Sequence, residues 1–211
     1  MLDMKRLFLL CMALGFLITA NAQGRGKWTE EEMLEMLEDK VATFCKYIGI
    51  VGSTRSGVSV QEKEAIINDS LWGLFYRYKE RSMITTRGWN GKILNKSKMK
   101  DYFVALKDQS LTGFRKEEVS YDLKFDFVTS GGQLKWKYKK TNEDGTKEYT
   151  AEVLITQVYI KEMRNGSNEI IQRKREEDKK TMECTKIVYP NNETLIALGD
   201  ITKAVRISTS I

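Results

Sequence analysis

The hydrophobic pattern of this 211-residue chain changes its period near residue 117. Before that point, apolar residues recur three and four positions apart, which is typical of helices with one buried face. After it, apolar and polar residues alternate, which is typical of strands that are buried on one face only. A block of helices followed by a block of strands predicts an α+β domain, in which the helices cover one face of an antiparallel sheet.

Two capping boxes mark the predicted starts of the first two helices. Thr29 is followed three residues later by Glu32, and Ser59 is followed by Glu62. In such a pair the hydroxyl accepts a hydrogen bond from a backbone amide of the first turn, and the carboxylate accepts one from the amide of the capping residue. Ser97 is the predicted N-cap of a third helix. The predicted helices span residues 29–48, 60–81 and 97–109.

The strands are predicted from alternation and from the turns between them. Asn165-Gly166 is typical of a hairpin turn, and the polar run 176–179 predicts another turn. The predicted strands span residues 83–86, 117–127, 134–139, 148–163, 169–175 and 182–189, and the tail to residue 205 could add an edge strand. We therefore expect a helical part at about 29–109 and a curved antiparallel meander of five to six strands at about 117–205.

The first hairpin of this sheet is expected to carry charges on its polar face. Asp122 and Asp126 lie in the polar row of the strand, so we expect them to be solvated rather than catalytic. Lys135, Lys137 and Lys139 could pair with these carboxylates across the hairpin. The pattern is typical of a charged sheet face that keeps a domain in solution.

The first 22 residues are typical of a secretory signal peptide. Lys5 and Arg6 precede an apolar run at 7–20, and Ala20-Asn21-Ala22 has the small residues that signal peptidase needs. The run is short for a membrane span, which needs about 20 apolar residues. We expect a single exported domain at 23–211, in the periplasm or outside the cell. The leader resembles those of envelope proteins of Bacteroidetes.

The chain contains no histidine, which excludes several kinds of catalytic site. Ser-His-Asp and Cys-His machinery cannot be built without it, and most catalytic zinc sites also need it. No Gly-rich phosphate loop, EF-hand or CxxC motif is present, so no cofactor and no metal are expected. The net charge of +6 is spread among acidic residues rather than concentrated, which disfavours nucleic-acid binding.

Cys45 and Cys184 remain once the leader is removed with Cys11. In an oxidising compartment they could form a disulfide. The alternative is a pair of buried free thiols, because cysteine packs as a small apolar residue. Both alternatives stay open at this stage. Nucleophilic catalysis by either thiol is disfavoured, because no histidine is present to activate it.

The order of elements over residues 29–189 is helix, helix, short strand, helix and long meander. This order resembles the NTF2-like, cystatin-like cone fold. The resemblance implies a hollow between helices and sheet that serves as a ligand pocket or catalytic site, and an open sheet face that contacts partners. Enzymes of this group commonly place Asp, Tyr or His in the cone, and here the histidine is missing.

Four aromatic residues are the candidate ligand-binding residues. Tyr121, Trp136 and Tyr138 belong to predicted strands and would line or fill the cone, whereas Trp89 lies in a Gly-flanked loop. We expect an exported, non-enzymatic binding or interaction domain, which takes a small apolar ligand in the cone or an envelope protein on the sheet face. The alternatives are a His-free isomerase or hydrolase that uses Asp and Tyr as acid–base groups, and a homodimer formed through the sheet.

Overall fold

Three α-helices and one short 3₁₀ helix lie in the part of the chain that the structure describes. Their bounds are Glu30–Gly52 (α1), Val60–Asn68 (α2), Ser70–Leu74 (3₁₀) and Met99–Thr112 (α3). The computed structural model describes residues 26–75, 83–87, 93–112 and 117–210. The predicted leader, Trp89 and residues 76–81 of the predicted second helix lie outside this described part. None of the helices among the described residues is long and apolar enough to cross a membrane.

Both predicted capping boxes are present. The Glu32 amide donates to Thr29 Oγ1 at 3.2 Å, and the Thr29 amide donates to the Glu32 carboxylate at 2.8 Å. The same two contacts join Ser59 and Glu62, at 3.3 and 2.7 Å. Because these bonds satisfy amides that have no partner within the helix, the sequence places both helix starts correctly.

The helix ends differ from the prediction. α1 continues to Gly52. The carbonyls of Val51 and Ser53 at this end accept no hydrogen bond from a later turn, and Lys63 Nζ donates to both of them. The predicted second helix breaks early, since Asp69 leaves the helical conformation. The chain is extended at Phe75, where it forms a parallel bridge with Leu198.

Among the described residues, seven strands form one sheet and two short strands form a separate ribbon. The strands are Met83–Arg87 (β1), Ile93–Lys98 (β2), Glu117–Phe127 (β3), Thr129–Ser130 (β4), Gln133–Leu134 (β5), Lys137–Thr141 (β6), Lys147–Arg164 (β7), Ile170–Val188 (β8) and Thr194–Ser210 (β9). The order in the sheet is β2-β1-β9-β8-β7-β3, and β6 also pairs with β7. The predicted fold class, helices on a curved sheet, is confirmed.

The sheet differs from a simple antiparallel meander in two respects. It has more strands than the five to six expected, and the pair of β1 with β9 is parallel. The predicted edge strand in the tail is β9, which lies inside the sheet between β8 and β1. Ser97 does not cap a helix, because it belongs to β2 and pairs with Ile84.

The polar run 176–179 is not a turn but part of the continuous strand β8. Each of its residues pairs with β7 on one side and with β9 on the other. An interior strand is stabilised by hydrogen bonds to both neighbours, and this outweighs the low β-propensity of Glu, Asp and Lys. Sequence alternation could not reveal this, because charged residues occupy both faces here.

The two strands of the predicted first hairpin do not pair with each other. β3 pairs with the second half of β7, and β6 pairs with the first half of the same strand. The expected ion pairs with Asp122 and Asp126 are therefore wrong, although both aspartates are exposed as predicted. Lys137 and Lys139 instead lie 3.5 Å from the carboxylates of Glu152 and Glu183.

The core lies between α1 and the concave face of the sheet. Leu37, Val41, Phe44 and Ile48 form the buried stripe of α1 at helical spacing. The Phe44 ring packs edge-on against Phe103 of α3, with centroids 5.8 Å apart. Towards the far end of α3 the apolar packing gives way to polar side chains, and this is where the candidate site lies.

Candidate functional site

A pocket of about 280 Å³ lies between α3 and the concave face of the strands β3, β7 and β8. We call it the α3 pocket. The helix contributes Tyr102, Ala105, Leu106 and Gln109, whose spacing places them on one helix face. The strands contribute Tyr121, Gln157, Tyr159, Glu176 and Asp178.

Strand register brings the sheet residues of the α3 pocket together. Tyr121 pairs with Tyr159, and Tyr159 also pairs with Glu176 on the other side. Gln157 pairs with Asp178 two residues further along. Side chains two residues apart on a strand share a face, so all five point towards α3.

Gln109 joins α3 to the sheet at the rim of the pocket. The Tyr121 hydroxyl donates to Gln109 Oε1 at 3.1 Å, and Gln109 Nε2 donates to the Tyr159 hydroxyl at 3.0 Å. The two tyrosine rings are tilted against each other with centroids 5.5 Å apart. Burial raises the pKa of Tyr159, so its hydroxyl keeps its proton and acts as a hydrogen-bonding group.

A buried lysine lies beneath the pocket. Lys180 is only 3% exposed, and its Nζ donates to the Tyr102 hydroxyl at 3.0 Å and to Gln157 Oε1. Tyr102 also donates to Gln157 Oε1 at 2.9 Å, which closes a three-membered network. A buried ammonium is tolerated only when such partners satisfy it.

Lys180, Gln157, Tyr102 and Gln109 are not among the residues that the sequence predicted for the site. Because a turn was predicted at 176–179, Lys180 and the residues before it were not expected to belong to the sheet. A signal was available in the inward row of β8, where Lys180 lies on the same face as the buried residues Met182 and Cys184. Charged residues at positions 176, 178 and 180, in the same row as buried apolar residues, indicate a polar site on the concave face.

Of the predicted ligand-binding residues that the structure describes, Tyr121 alone lines the α3 pocket. Trp136 donates its indole N–H to Glu30 at 3.2 Å, and Lys186 Nζ lies 4.6 Å from its ring centroid. Tyr138 is 60% exposed and contacts Tyr149 edge-on.

Tyr121 and Tyr138 lie beside distant positions of β7, the strand with which both of their own strands pair. Tyr138 pairs with Tyr149 of β7, whereas Tyr121 pairs with Tyr159 of that strand. A strand rises about 3.3 Å per residue, so these positions are separated by roughly 33 Å. Tyr121 therefore cannot share a small-molecule site with Tyr138.

Cys45 and Cys184 are buried free thiols in this structure. This corresponds to the second of the two alternatives left open by the sequence. Burial raises the pKa of Cys45 to about 11, against the opposing charge of Lys180, and raises that of Cys184 to about 12. Both thiols are thus protonated at neutral pH and are poor nucleophiles.

Within the described ranges, no three acidic or cysteine side chains are grouped so that they could hold a metal ion. The carboxylates nearest the pocket are those of Glu176 and Asp178. Glu176 forms an ion pair with Lys174 at 2.7 Å. The α3 pocket offers hydrogen-bonding groups, aromatic rings and these two carboxylates.

Comparison with known proteins gives little to add. No protein-family model matches the chain, and no curated protein matches it. Among solved structures, the chain is similar to the beta subunit of a proposed aromatic-ring-hydroxylating dioxygenase from Novosphingobium aromaticivorans. The match has 9% sequence identity and a TM-score of 0.33, and it covers 85% of this chain and 94% of that chain. At this TM-score the likeness carries no functional argument, and the fold class rests on the topology described above.

Proposed function

We propose that this protein is an exported, non-enzymatic binding domain with an NTF2-like cone, which holds a small polar ligand in the α3 pocket. The observation that carries the proposal is the lining of that pocket. Three tyrosines, two glutamines and two carboxylates converge on one cavity between helix and sheet. A concave pocket with a few convergent polar groups is the usual form of a small-molecule site.

The lining favours a polar ligand over the apolar ligand that the sequence suggested. An apolar molecule would displace water from the polar lining and would offer no hydrogen bonds in its place. Each polar group that loses its partner in this way costs about 1–3 kcal/mol. The volume of about 280 Å³ is just below the usual range for ligand pockets, which begins at about 300 Å³. A compact ligand with several hydroxyl or amide groups fits both facts.

Export is part of the same proposal and rests on the leader at 1–22. The expected mature chain starts at Gln23, and intact mass spectrometry of the protein from its own cells checks this. A mass that includes residues 1–22 would contradict it. An envelope protein docked on the convex sheet face, or a second copy of the chain there, is the rival mode of binding.

Native mass spectrometry tests the pocket. The mature protein is incubated with a small-molecule extract of its own cells and compared with two variants. Gln109→Leu removes the side chain that bridges Tyr121 and Tyr159, whereas Gln172→Leu makes the same change on an exposed part of β8. We expect the wild type and Gln172→Leu to retain a small polar molecule and Gln109→Leu to lose it. Equal retention by both variants would place the ligand elsewhere.

One contact favours the alternative of a His-free enzyme. Lys180 Nζ lies 3.0 Å from the Tyr102 hydroxyl, and an ammonium beside a phenol favours proton transfer from it. The same hydroxyl already donates to Gln157 inside the protein, which favours binding over catalysis. The two functions are separated by incubating the retained molecule with the protein. Chemical conversion that stops in Tyr102→Phe would establish the enzyme, and an unchanged molecule supports the binding domain.

A further inference from the structure

A second cavity lies between α1 and β3, and the proposed function does not use it. This cleft, of about 350 Å³, is formed by the C-terminal half of α1, the segment that follows it and the first half of β3. Its lining includes Lys46, Gly49, Arg55, Ser56 and Tyr121. We call it the Gly49 cleft. Tyr121 lines both this cleft and the α3 pocket.

Gly49 keeps the cleft open. A Cβ added at this position would have no neighbouring atom within 4 Å, although the residue lies within α1. Glycine destabilises a helix relative to alanine, and no packing contact at this position requires it. Gly52 is different, because its added Cβ would lie 2.4 Å from Cε2 of Tyr121. Packing therefore explains Gly52, whereas Gly49 leaves room for something other than the protein.

The charge of the cleft favours an anion. Lys46 and Arg55 contribute two positive charges to the lining, and Glu118 contributes one negative charge. The Glu118 carboxylate is shared, since it lies 3.4 Å from Arg55 Nη1 and 3.3 Å from Arg164 Nε. Arg164 is not among the lining residues of the cleft, and its charge offsets that of the Glu118 carboxylate. The side chain of Arg55 is 67% exposed, so it can also contact a ligand.

A buried hydroxyl without a partner belongs to one of the lining residues. Ser56 Oγ is buried and finds no hydrogen-bond partner among the described residues, which is unusual for a hydroxyl. Ile50, Val119 and Tyr121 add apolar surface to the lining, which also includes Ser53 and Ser120. The cleft thus combines cations at its rim, an unsatisfied donor and an apolar surface.

From these observations we propose that the Gly49 cleft binds a small organic anion, namely a carboxylate attached to a compact apolar group. The carboxylate contacts Arg55 and Ser56, and the apolar group lies on Gly49 and the ring of Tyr121. The proposal is independent of the ligand in the α3 pocket.

Benzoate is a suitable probe, and benzyl alcohol is its uncharged counterpart of nearly the same size. Titration followed by ¹H–¹⁵N correlation NMR reports binding and also locates it. We expect saturable shifts at residues of the cleft with benzoate, and binding of benzyl alcohol weaker by about tenfold or more. Arg55→Gln should weaken benzoate binding by at least about tenfold, because it removes a charge-assisted contact.

Two substitutions at one position separate occupancy of the cleft from helix stability. Gly49→Leu should abolish benzoate binding, because the side chain fills the cleft. Gly49→Ala adds a single methyl group and should retain it. Gln172→Leu, on an exposed part of β8, should leave benzoate binding unchanged, and the positions of the shifted residues distinguish the cleft from the α3 pocket. Circular dichroism checks that each variant is folded. If Gly49→Leu does not fold, Arg55→Gln alone decides whether benzoate binds in the cleft.

The proposal is overturned by any of three results. These are the absence of benzoate binding, equal binding of benzoate and benzyl alcohol, and wild-type binding by folded Gly49→Leu or Arg55→Gln. Shifts confined to residues that line only the α3 pocket, such as Gln157 and Asp178, would also overturn it, since that result places the anion there.

Discussion

Lys63 of α2 is a single buried side chain that joins this helix to the end of α1 and to α3. It is only 3% exposed, and its Nζ donates to the carbonyls of Val51 and Ser53 and to Ser110 Oγ, at 3.2, 2.8 and 2.8 Å. The ammonium therefore caps the C-terminus of α1, where the helix dipole favours a positive charge. Lys63→Met keeps the length of the side chain but leaves these acceptors without a donor, so it should lower the free energy of unfolding by about 1–3 kcal/mol.

The same lysine makes stability depend on alkaline pH. Desolvation lowers the pKa of Lys63 in the folded state from the ordinary value of 10.5. Between the lowered pKa and 10.5 the unfolded chain therefore binds more protons at this position than the folded chain. The contribution of this group to the free energy of unfolding consequently rises with pH in that range.

Urea denaturation of the wild type and Lys63→Met at about pH 7.5 and about pH 10 measures this effect. We expect the difference in free energy of unfolding to widen at the higher pH. Lys203→Met, at an exposed position of β9, is the control and should keep a constant difference from the wild type. A gap that narrows for Lys63→Met would show that the pKa is raised instead.

Gly49 and Gly52 give a matched test of the two glycines in α1. Gly49→Ala should raise the free energy of unfolding by up to about 1 kcal/mol, because alanine favours the helix and nothing obstructs its Cβ. Gly52→Ala should lower it by about 1–3 kcal/mol, because the new Cβ meets the Tyr121 ring. Chemical denaturation of both variants measures the difference. Equal effects would mean that Tyr121 moves aside without cost.

At the level of elements, β8 is the strand on which the concave face depends. It pairs with β7 along almost its whole length and with β9 on the other side. Its inward row carries Lys180, Asp178 and Glu176 towards α3. If the chain turned at 176–179, as the polar run suggested, these residues would not reach the site. The continuity of β8 is therefore a condition for the α3 pocket.

Hydrogen exchange tests that continuity. The amides of residues 176–179 should exchange as slowly as those of 180–184, because an interior strand bonds to neighbours on both sides. The turn at Gly131-Gly132, which is exposed, should exchange much faster. Rapid exchange confined to 176–179 would indicate that the chain turns there and that Lys180 does not lie beneath the α3 pocket.

At the scale of the whole molecule, the two cysteines report on how the layers are joined. Cys45 lies on α1 and Cys184 lies on β8, and both are buried free thiols in the core. In the native protein at neutral pH neither should react with iodoacetamide, since burial blocks access and raises both pKa values. After denaturation without reductant, mass spectrometry should find both labelled in the mature chain. Two unlabelled cysteines would instead establish the disulfide.

The sequence predicted the features of this protein that depend on neighbours in the chain. Helix starts follow from residues three apart, so Thr29 with Glu32 and Ser59 with Glu62 were sufficient. The change from a helical to a strand period predicted the α+β class in the same way. Tyr121 was identified as inward-facing from alternation alone, because that pattern is local to its strand.

The tertiary structure decided everything that depends on pairing between distant segments. The choice of β7 rather than β6 as the partner of β3 places Tyr121 far from Tyr138. The enclosure of β8 between β7 and β9 turns a polar run into a strand and carries Lys180 to Tyr102. Strand pairing is stabilised by contacts across the sheet rather than along the chain, and β-propensity reflects that context. The candidate site is therefore a product of register, which the sequence pattern of any one strand does not contain.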